Sequence, residues 1–397
     1  MPNSPRVRGF QWAGIRCGVK ARGPDLALLV SDRPARVAGV FTRSTVPGAP
    51  VVVTRRRVRR GAARAVVANA GVANVAMGEP GLRAAEAMTR RVGRALDLPT
   101  GQVLVASTGV IGEPLPMDRL LPGIDRAARG LAPDRIGRAA RAIMTTDTVA
   151  KVASKPVSLG ARRARIAGIA KGSGMIEPRM ATMLAFVATD ASVAAPVLRG
   201  LWREVAEDTF NRVSVDGETS TSDIALVLAN GAAGGTEIRS ANGARARALG
   251  KGLHAVATDL SRALARDGEG ATRLVTVEVR GGRTTAEAER AARRIANSML
   301  VKTAIFGRDP NWGRILQAVG AGRVRLDLAR TAVRLCGVPV FRDGASAGPA
   351  ARRRAGQRLG RPEITVEVDL AAGPGRARVW TCDLSYDYVR INADYTT

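Results

Sequence analysis

The sequence predicts a mixed α/β fold in which helices cover β-sheets. Short segments rich in Val, Ile and Leu recur along the 397 residues, and they have the composition of strands. Longer segments rich in Ala, Arg and Leu lie between them, with apolar residues at helical spacing. Hydrophobic residues make up 46% of the chain, which is enough for a sizeable core. Strands and helices that alternate in this way are typical of sheets covered by helices.

Several of the predicted strands alternate apolar and polar residues, which favours sheets with one face on a core. The strand segments are residues 63–71, 102–107, 183–191, 223–232, 273–281, 363–371 and 376–385. The segments with the clearest helical periodicity are residues 81–98, 195–212, 244–266 and 285–299. In residues 341–363, Gly, Pro, Ser and Arg replace the apolar periodicity, which predicts a solvated basic loop between two strands.

Positive charge is the most prominent feature of the composition. The chain has 62 Lys and Arg against 34 Asp and Glu, a formal net charge of +28, and such a charge attracts polyanions. The basic residues are mostly Arg scattered along helices beside Ala, and the aromatic residues that could stack on bases make up 3%. This scattered distribution is more typical of a compositional bias toward Arg than of a nucleic-acid interface.

For a chain of 397 residues we expect two domains or one large layered domain.

The cysteines and the histidine exclude several kinds of site. Cys17, Cys336 and Cys382 are far apart without a CxxC spacing, so neither a disulfide framework nor a zinc site is indicated. His254 is the single histidine and lies in a helical pattern, so a histidine metal cluster is excluded. The N-terminus lacks the apolar region of a signal peptide, and no apolar run reaches the roughly 18 residues that span a bilayer. We therefore expect a cytoplasmic protein that does not enter a membrane.

The stretch "KGSGMIEPRMATMLAFVATDA", residues 171–191, contains the candidate nucleophile, Thr182. A threonine at a chain N-terminus needs no histidine, because its own α-amino group, with a pKa of roughly 7.7–8.0, can accept the hydroxyl proton. Thr182 would gain that amine only if the bond between Ala181 and Thr182 were cut, by attack of the threonine hydroxyl on the preceding carbonyl. The small Ala181 side chain and the "KGSG" turn that begins at Lys171 favour this attack. The alternative is that Thr182 simply begins a strand.

Two further segments carry hydroxyl groups suited to an active site. "STGVIGEP", residues 107–114, follows a predicted strand, and its Thr108 and Gly109 can present a hydroxyl and a backbone N–H together to an oxyanion. An ordinary turn is the alternative. "MTTDT", residues 144–148, is a hydroxyl cluster with one carboxylate, which fits either a helix cap or turn or a substrate contact.

Together these segments resemble the ArgJ family, the ornithine acetyltransferases and glutamate N-acetyltransferases of arginine biosynthesis. The resemblance runs along nearly the whole chain in ordered blocks. These blocks are "NAGVANVAMGEPGL" (69–82), "STGVIG" (107–112), the stretch at 171–191, "SVDGETSTSD" (214–223), "LVKTAIFGRDPNWGRI" (300–315) and "INADYTT" (391–397). Several independent blocks in the same order make the resemblance specific.

The resemblance implies a fold, a processing step and an assembly. It implies a layered αββα sandwich and self-cleavage between Ala181 and Thr182 into an α chain, 1–181, and a β chain, 182–397. The two chains would stay associated, as a heterotetramer of two of each. Neither a metal nor an organic cofactor is implied.

The resemblance also implies the reaction. Thr182 would take the acetyl group from N-acetylornithine and pass it to glutamate in a ping-pong cycle; whether acetyl-CoA is also a donor is left open. Thr108 and Gly109 match the oxyanion-hole pair of the family. The positions that match substrate-binding residues are Thr145, Lys171, Thr182, Glu269, Asn392 and Thr397.

This chain departs from the family pattern in two places. Ala76 and Met77 replace polar residues of the first block, and Glu177 and Arg179 replace a neutral residue and an asparagine before the cleavage site. Two other functions stay open: an N-terminal-threonine amidase or aminopeptidase, which would pass the acyl group to water, and, as the least favoured reading, a basic nucleic-acid-binding protein. Competition between glutamate and water for the acyl group would separate the two enzymes.

Overall fold

The computed structural model describes residues 4–177 and 183–394, which form two compact units. Unit 1 comprises the residues up to 211 together with 218–260, and unit 2 comprises 212–217 and the residues from 261 onward. Each unit contains a β-sheet with helices packed on it, so the predicted mixed α/β class is confirmed. The predicted cut between an α and a β chain concerns a covalent bond and stays a prediction.

The described part of unit 1 contains one sheet, in the order β4-β3-β2-β8-β7-β6-β5, with β1 paired to β2. Its strands are β1 (Phe10–Ile15), β2 (Leu26–Phe41), β3 (Ala62–Val72), β4 (Val103–Val110), β5 (Lys151–Leu159), β6 (Arg162–Lys171), β7 (Leu184–Thr189) and β8 (Ile224–Ala229). The long strand β2 joins the two halves, because its first part pairs with β3 and its last part with β8. The β3–β4 and β7–β8 pairs are parallel.

Helices cover this sheet and complete a layered sandwich. They are α1 (Ala49–Val58), α2 (Gly78–Leu96), α3 (Met117–Arg129), α4 (Ile136–Ala142), α5 (Ala195–Asp208) and α6 (Ala244–Arg266), which runs past the end of unit 1. Helix α4 packs against β1 and β2 in one half of the sheet and against β5 and β6 in the other, so the halves face each other across a shared core. Helices α2 and α3 cover the outer face of the first half. Gly252 of α6 packs on Val157 and Ile166 of the second half, which gives the predicted αββα order.

Unit 2 has its own sheet, in the order β12-β11-β10-β13-β9-β14 among the described residues. Its strands are β9 (Leu274–Gly282), β10 (Ala332–Leu335), β11 (Val338–Arg342), β12 (Ala345–Ser346), β13 (Glu363–Asp369) and β14 (Gly375–Cys382). Its helices are α7 (Thr285–Ala296), α8 (Met299–Phe306), α9 (Trp312–Ala321), α10 (Pro349–Arg358) and α11 (Tyr386–Asp394). The side chains of Thr284, Ser298 and Asn311 each accept a backbone N–H, which fixes where α7, α8 and α9 begin.

All seven predicted strands and all four predicted helices are present, with differences at their ends. The prediction for residues 341–363 is wrong, because this segment contains the end of β11, the short strand β12 and the helix α10. Pro349 occupies the first turn of that helix, and Ala351, Ala355 and Leu359, four residues apart, bury one face of it. Because arginines lie between these residues, the sequence pattern did not reveal the narrow apolar stripe.

Candidate active site

Three of the predicted site residues, Lys171, Thr108 and Thr145, lie together in unit 1. Lys171 is the last residue of β6 and is buried, with 2% of its surface exposed. Its Nζ donates hydrogen bonds to Thr108 Oγ1 at 3.2 Å and to Thr145 Oγ1 at 2.8 Å. Thr108 is near the end of β4, and Thr145 follows α4, so three predicted residues from separate parts of the chain meet here. Their roles in catalysis and binding stay predictions.

The backbone at Gly109 admits only glycine. Gly109 pairs with Gly71 of the parallel neighbour β3 and has a φ of +131°. A Cβ at Gly109 would lie 2.2 Å from the carbonyl carbon of Gly71, closer than any non-bonded contact allows. Since Thr108 Oγ1 already accepts from the Lys171 ammonium, its own proton is available for donation, and donors in such chains polarise one another. This is suitable chemistry for an oxyanion.

The buried carboxylate of Asp147 organises the cluster. Its Oδ1 accepts from Lys151 Nζ and from the Gly172 N–H, both at 2.7 Å, and its Oδ2 accepts from the Thr145 N–H at 3.0 Å. Lys171 Nζ lies 4.0 Å from Oδ2. Burial alone would raise the pKa of Asp147, but the charges of Lys171 and Lys151 and these hydrogen bonds lower it to about 2. The Gly172 N–H of the "KGSG" turn is therefore used by Asp147, which the sequence did not identify as a site residue.

Lys20 is a third lysine near this cluster, and the sequence did not identify it as a site residue. Its Nζ donates to the Met144 carbonyl at 2.8 Å, the carbonyl of the peptide bond that leads into Thr145. Its loop wraps the carboxylate of Asp25, which accepts the backbone N–H groups of Cys17, Gly18, Val19 and Lys20. Burial would raise the pKa of Asp25, but these hydrogen bonds lower it. No periodic pattern marks such a loop in the sequence.

Asp223 lies directly before β8 and is fully buried. Its Oδ1 accepts from the Met183 N–H at 2.7 Å, and its Oδ2 has no hydrogen-bond partner within residues 4–177 and 183–394. Burial raises the pKa of Asp223 well above its ordinary value, and the Met183 N–H and the charge of Lys171 offset only part of that rise. The Met183 nitrogen is bonded to the carbonyl carbon of Thr182, so this acid lies one residue from the predicted nucleophile.

Glu269 and Asn392 contact each other in unit 2. Asn392 Nδ2 donates to Glu269 Oε2 at 2.9 Å. The loop that carries Glu269 is held by the buried Asp383, which accepts from the backbone N–H groups of Thr272 at 2.8 Å and Arg273 at 3.0 Å. The Arg273 guanidinium also donates to Asp383 at 2.9 Å. The predicted substrate contact of this pair stays a prediction.

Three predicted residues, Ala181, Thr182 and Thr397, lie outside the described residues, so the roles of the cleavage site and of the C-terminal residue stay predictions. Before these residues, the Glu177 N–H donates to the Glu218 carbonyl at 2.8 Å. After the gap, β7 begins at Leu184.

His254 is exposed on α6, where its Nδ1 lies 3.3 Å from Thr258 Oγ1, as expected for a solvated helix residue. Cys17, Cys336 and Cys382 are free thiols. Within the described ranges no group of three or more His, Cys, Asp or Glu could hold a metal ion. None of the helices described there is long and apolar enough to cross a bilayer.

Comparison with known proteins gives one consistent result. A model of the ArgJ family matches residues 11–397. The arginine biosynthesis bifunctional protein ArgJ of Symbiobacterium thermophilum is 47% identical over 399 residues, covering 98% of this chain and 97% of that protein. Its namesake from Thermus thermophilus is 48% identical over 392 residues, covering 98% of each chain. A crystal structure of the Bacillus halodurans protein of that name is 37% identical, covers 53% of this chain and 98% of its own, and has a TM-score of 0.51.

The fold, the polar cluster and these relatives define an enzyme of the acyltransferase class, which confirms the class expected from the sequence. The chain belongs to the ArgJ family, the family that its sequence blocks indicated.

Proposed function

We propose that the chain is a self-processed N-acetyltransferase that moves an acetyl group from N2-acetylornithine to glutamate. The observation that carries the proposal is the buried Lys171 ammonium, which joins Thr108 and Thr145 at the end of β6, just before the segment that contains Thr182. The names of its relatives, which place them in arginine biosynthesis, support this choice of pathway.

Activation is cleavage of the bond between Ala181 and Thr182. The Thr182 hydroxyl attacks the Ala181 carbonyl carbon, the C–N bond breaks, and the nitrogen gains a proton and becomes an amine. Water then hydrolyses the ester, which leaves a carboxylate on the α chain, 1–181, and a free threonine at the head of the β chain, 182–397.

Acetyl transfer uses the same hydroxyl. The Thr182 amine accepts the hydroxyl proton while Oγ1 attacks the acetyl carbon of N2-acetylornithine, and the Thr108 hydroxyl and the Gly109 N–H bind the oxyanion. Ornithine leaves with the proton on its α-amine. The glutamate amine then attacks the acetyl-threonine ester, which regenerates Thr182. Each donor to the oxyanion is worth roughly 3–4 kcal/mol of transition-state stabilisation.

Substrate recognition follows from charge. Donor and acceptor share an α-carboxylate, which suits the Lys171 ammonium, the Thr145 hydroxyl and Thr397. The side-chain ammonium of ornithine suits Glu269, held by Asn392. We further propose that acetyl-CoA is a second acetyl donor for glutamate, that neither a metal nor an organic cofactor is needed, and that two α and two β chains form the active assembly.

The test is initial-rate kinetics with N2-acetylornithine and glutamate, with N-acetylglutamate and acetate measured separately. A ping-pong acetyltransferase gives parallel double-reciprocal lines and N-acetylglutamate as the main product. Acetate release that glutamate cannot suppress would instead favour the amidase. Replacing N2-acetylornithine with acetyl-CoA tests the second donor, and activity retained in EDTA tests the absence of a metal.

The variant Thr108→Val tests the oxyanion site. Loss of its hydroxyl should lower kcat by about 100-fold or more, since one oxyanion donor has that effect in other acyl-transfer enzymes. Thr303→Val is the matched control, because Thr303 is exposed on α8 and its hydroxyl bonds to carbonyls of its own helix and to Arg314. Equal activity of the two variants would contradict the assigned role of Thr108.

A further inference from the structure

The polar cluster of unit 1 has more positive than negative charge. Asp147 is the carboxylate at its centre, and it pairs directly with Lys151 at 2.7 Å and lies 4.0 Å from Lys171. Lys20 adds a third ammonium, which interacts electrostatically with Asp25, Asp147 and Lys171, so that three ammonium groups are balanced by two carboxylates. A partly buried cluster with excess positive charge is a suitable binding site for an anion.

Lys20 lies at the same strand ends as the predicted oxyanion pair. Its Nζ contacts the Met144 carbonyl, next to Thr145. Its Cγ would lie 3.0 Å from a Cβ at Gly71, and Gly71 is the residue paired with Gly109. The Lys20 side chain therefore lies beside both predicted elements of the site.

The loop that carries Lys20 is held in place. The Asp25 carboxylate accepts four successive backbone N–H groups, at distances from 2.6 to 3.1 Å. This arrangement fixes the backbone of Lys20, and the hydrogen bond to the Met144 carbonyl restricts its side chain, so a further contact from its ammonium loses less conformational entropy.

Lys20 is more exposed than Lys171 and can add a second cationic contact to a ligand that Lys171 binds. Lys171 is buried and donates to two threonine hydroxyls, whereas Lys20 is half-buried. Within residues 4–177 and 183–394, Lys20 Nζ has one hydrogen-bond acceptor, the Met144 carbonyl, and no carboxylate within ion-pair distance. An ammonium has three N–H donors, so two are left for a carboxylate. Burial lowers the pKa of Lys20 although Asp25 and Asp147 raise it, as expected for a partly desolvated cation.

We propose that Lys20 binds the α-carboxylate shared by N2-acetylornithine and glutamate. This inference rests on the proposed function and adds a substrate-binding residue to it. Because the same contact would serve both half-reactions, Lys20 would select α-amino acids over the corresponding amines and amides.

The test compares Lys20→Met with the wild type on carboxylate substrates and on their α-carboxamides. Loss of a charge-assisted hydrogen bond should lower kcat/KM for both carboxylate substrates by about tenfold to a hundredfold, mainly through KM. Self-cleavage should be kept. On the carboxamides the variant and the wild type should be equal, because the charge that Lys20 recognises is absent.

Lys251→Met is the matched control, since it removes the same charge from an exposed position of α6. Lys20→Gln keeps a donor for the Met144 carbonyl without the charge, and it should show the same loss as Lys20→Met. Equal losses on carboxylates and carboxamides, or full activity of Lys20→Gln, would overturn the inference and leave Lys20 as a structural support. A wild type that transfers no acetyl group would instead contradict the proposed function itself.

Discussion

Lys171 Nζ and Thr108 Oγ1 lie 3.2 Å apart although the two residues are 63 positions apart in the sequence. The contact joins β6 to β4, which belong to opposite halves of the sheet of unit 1. Because the halves face each other, the ends of these strands meet, and the hydroxyl of one is polarised by the ammonium of the other. The layered fold thus creates the candidate site.

Gly109→Ala should remove activity, while Gly112→Ala should not. Both glycines have a positive φ, so alanine is strained at either position, by roughly 1–3 kcal/mol. A Cβ at Gly109 would also collide with Gly71, whereas nothing lies within 4 Å of a Cβ at Gly112. We expect kcat to fall by at least about 100-fold only in Gly109→Ala, because only there must the oxyanion donors move. Similar kcat values, measured beside melting temperatures, would contradict this account.

Asp147→Asn should make the protein less stable at neutral pH. The folded pKa of about 2 is below the ordinary value of 3.8, so Asp147 stabilises the fold above pH 4 and loses that contribution as the pH falls from about 4 to about 2. The shift corresponds to on the order of 2 kcal/mol of unfolding free energy.

Urea unfolding of Asp147→Asn and the wild type between pH 2 and 7 measures this difference. The two curves should converge toward pH 2. Asp343→Asn, which changes an exposed carboxylate, is the control and should follow the wild type. A difference that is independent of pH would contradict the assigned ion pair.

Asp223→Asn should have the opposite pH dependence. Because the folded pKa of Asp223 is raised, the unfolded state releases the proton first, and the wild type loses stability as the pH rises above about 4. Asparagine removes this penalty and can still accept the Met183 N–H. The stability of the variant relative to the wild type should therefore increase from pH 4 to pH 7. A constant or falling difference in melting temperature would show that Asp223 is ionised in the folded protein.

Glu269→Gln should impair one half-reaction of the proposed cycle. The side-chain ammonium of ornithine has a counterpart in Glu269, whereas glutamate carries no side-chain cation. We expect kcat/KM for N2-acetylornithine to fall by about tenfold or more, as for the loss of a charged hydrogen bond, with kcat/KM for glutamate nearly unchanged. Glu278→Gln on β9, which removes an ion pair with Arg378, is the control. Equal losses for both substrates would contradict recognition of the side chain.

The sequence was most informative where apolar residues repeat. The predicted helix at residues 244–266 has the observed bounds of α6, and the Val-rich segments form strands as predicted. The prediction of a loop at residues 341–363 was wrong because the apolar face of α10 consists of widely spaced small residues among arginines.

The candidate site was only partly predictable. Thr108, Gly109, Thr145 and Lys171 lie in segments whose motifs could be recognised. Lys20, Asp147 and Asp223 became visible only in the structure, because their significance depends on tertiary contacts and burial. A single charged residue in a loop gives no periodic signal, so neither the ion pair at Asp147 nor the buried acid beside Met183 could be inferred from spacing.

The central claim is that Thr182 becomes an N-terminal nucleophile, and intact-mass spectrometry under denaturing conditions tests it most directly. The wild type should separate into two fragments that meet at Ala181 and Thr182, while Thr182→Ala stays whole at 41.6 kDa. If the wild type also stays whole, Thr182 has no free amine to act as its base. That result would contradict the account and direct attention to Glu177 and Arg179, where this chain departs from the family pattern.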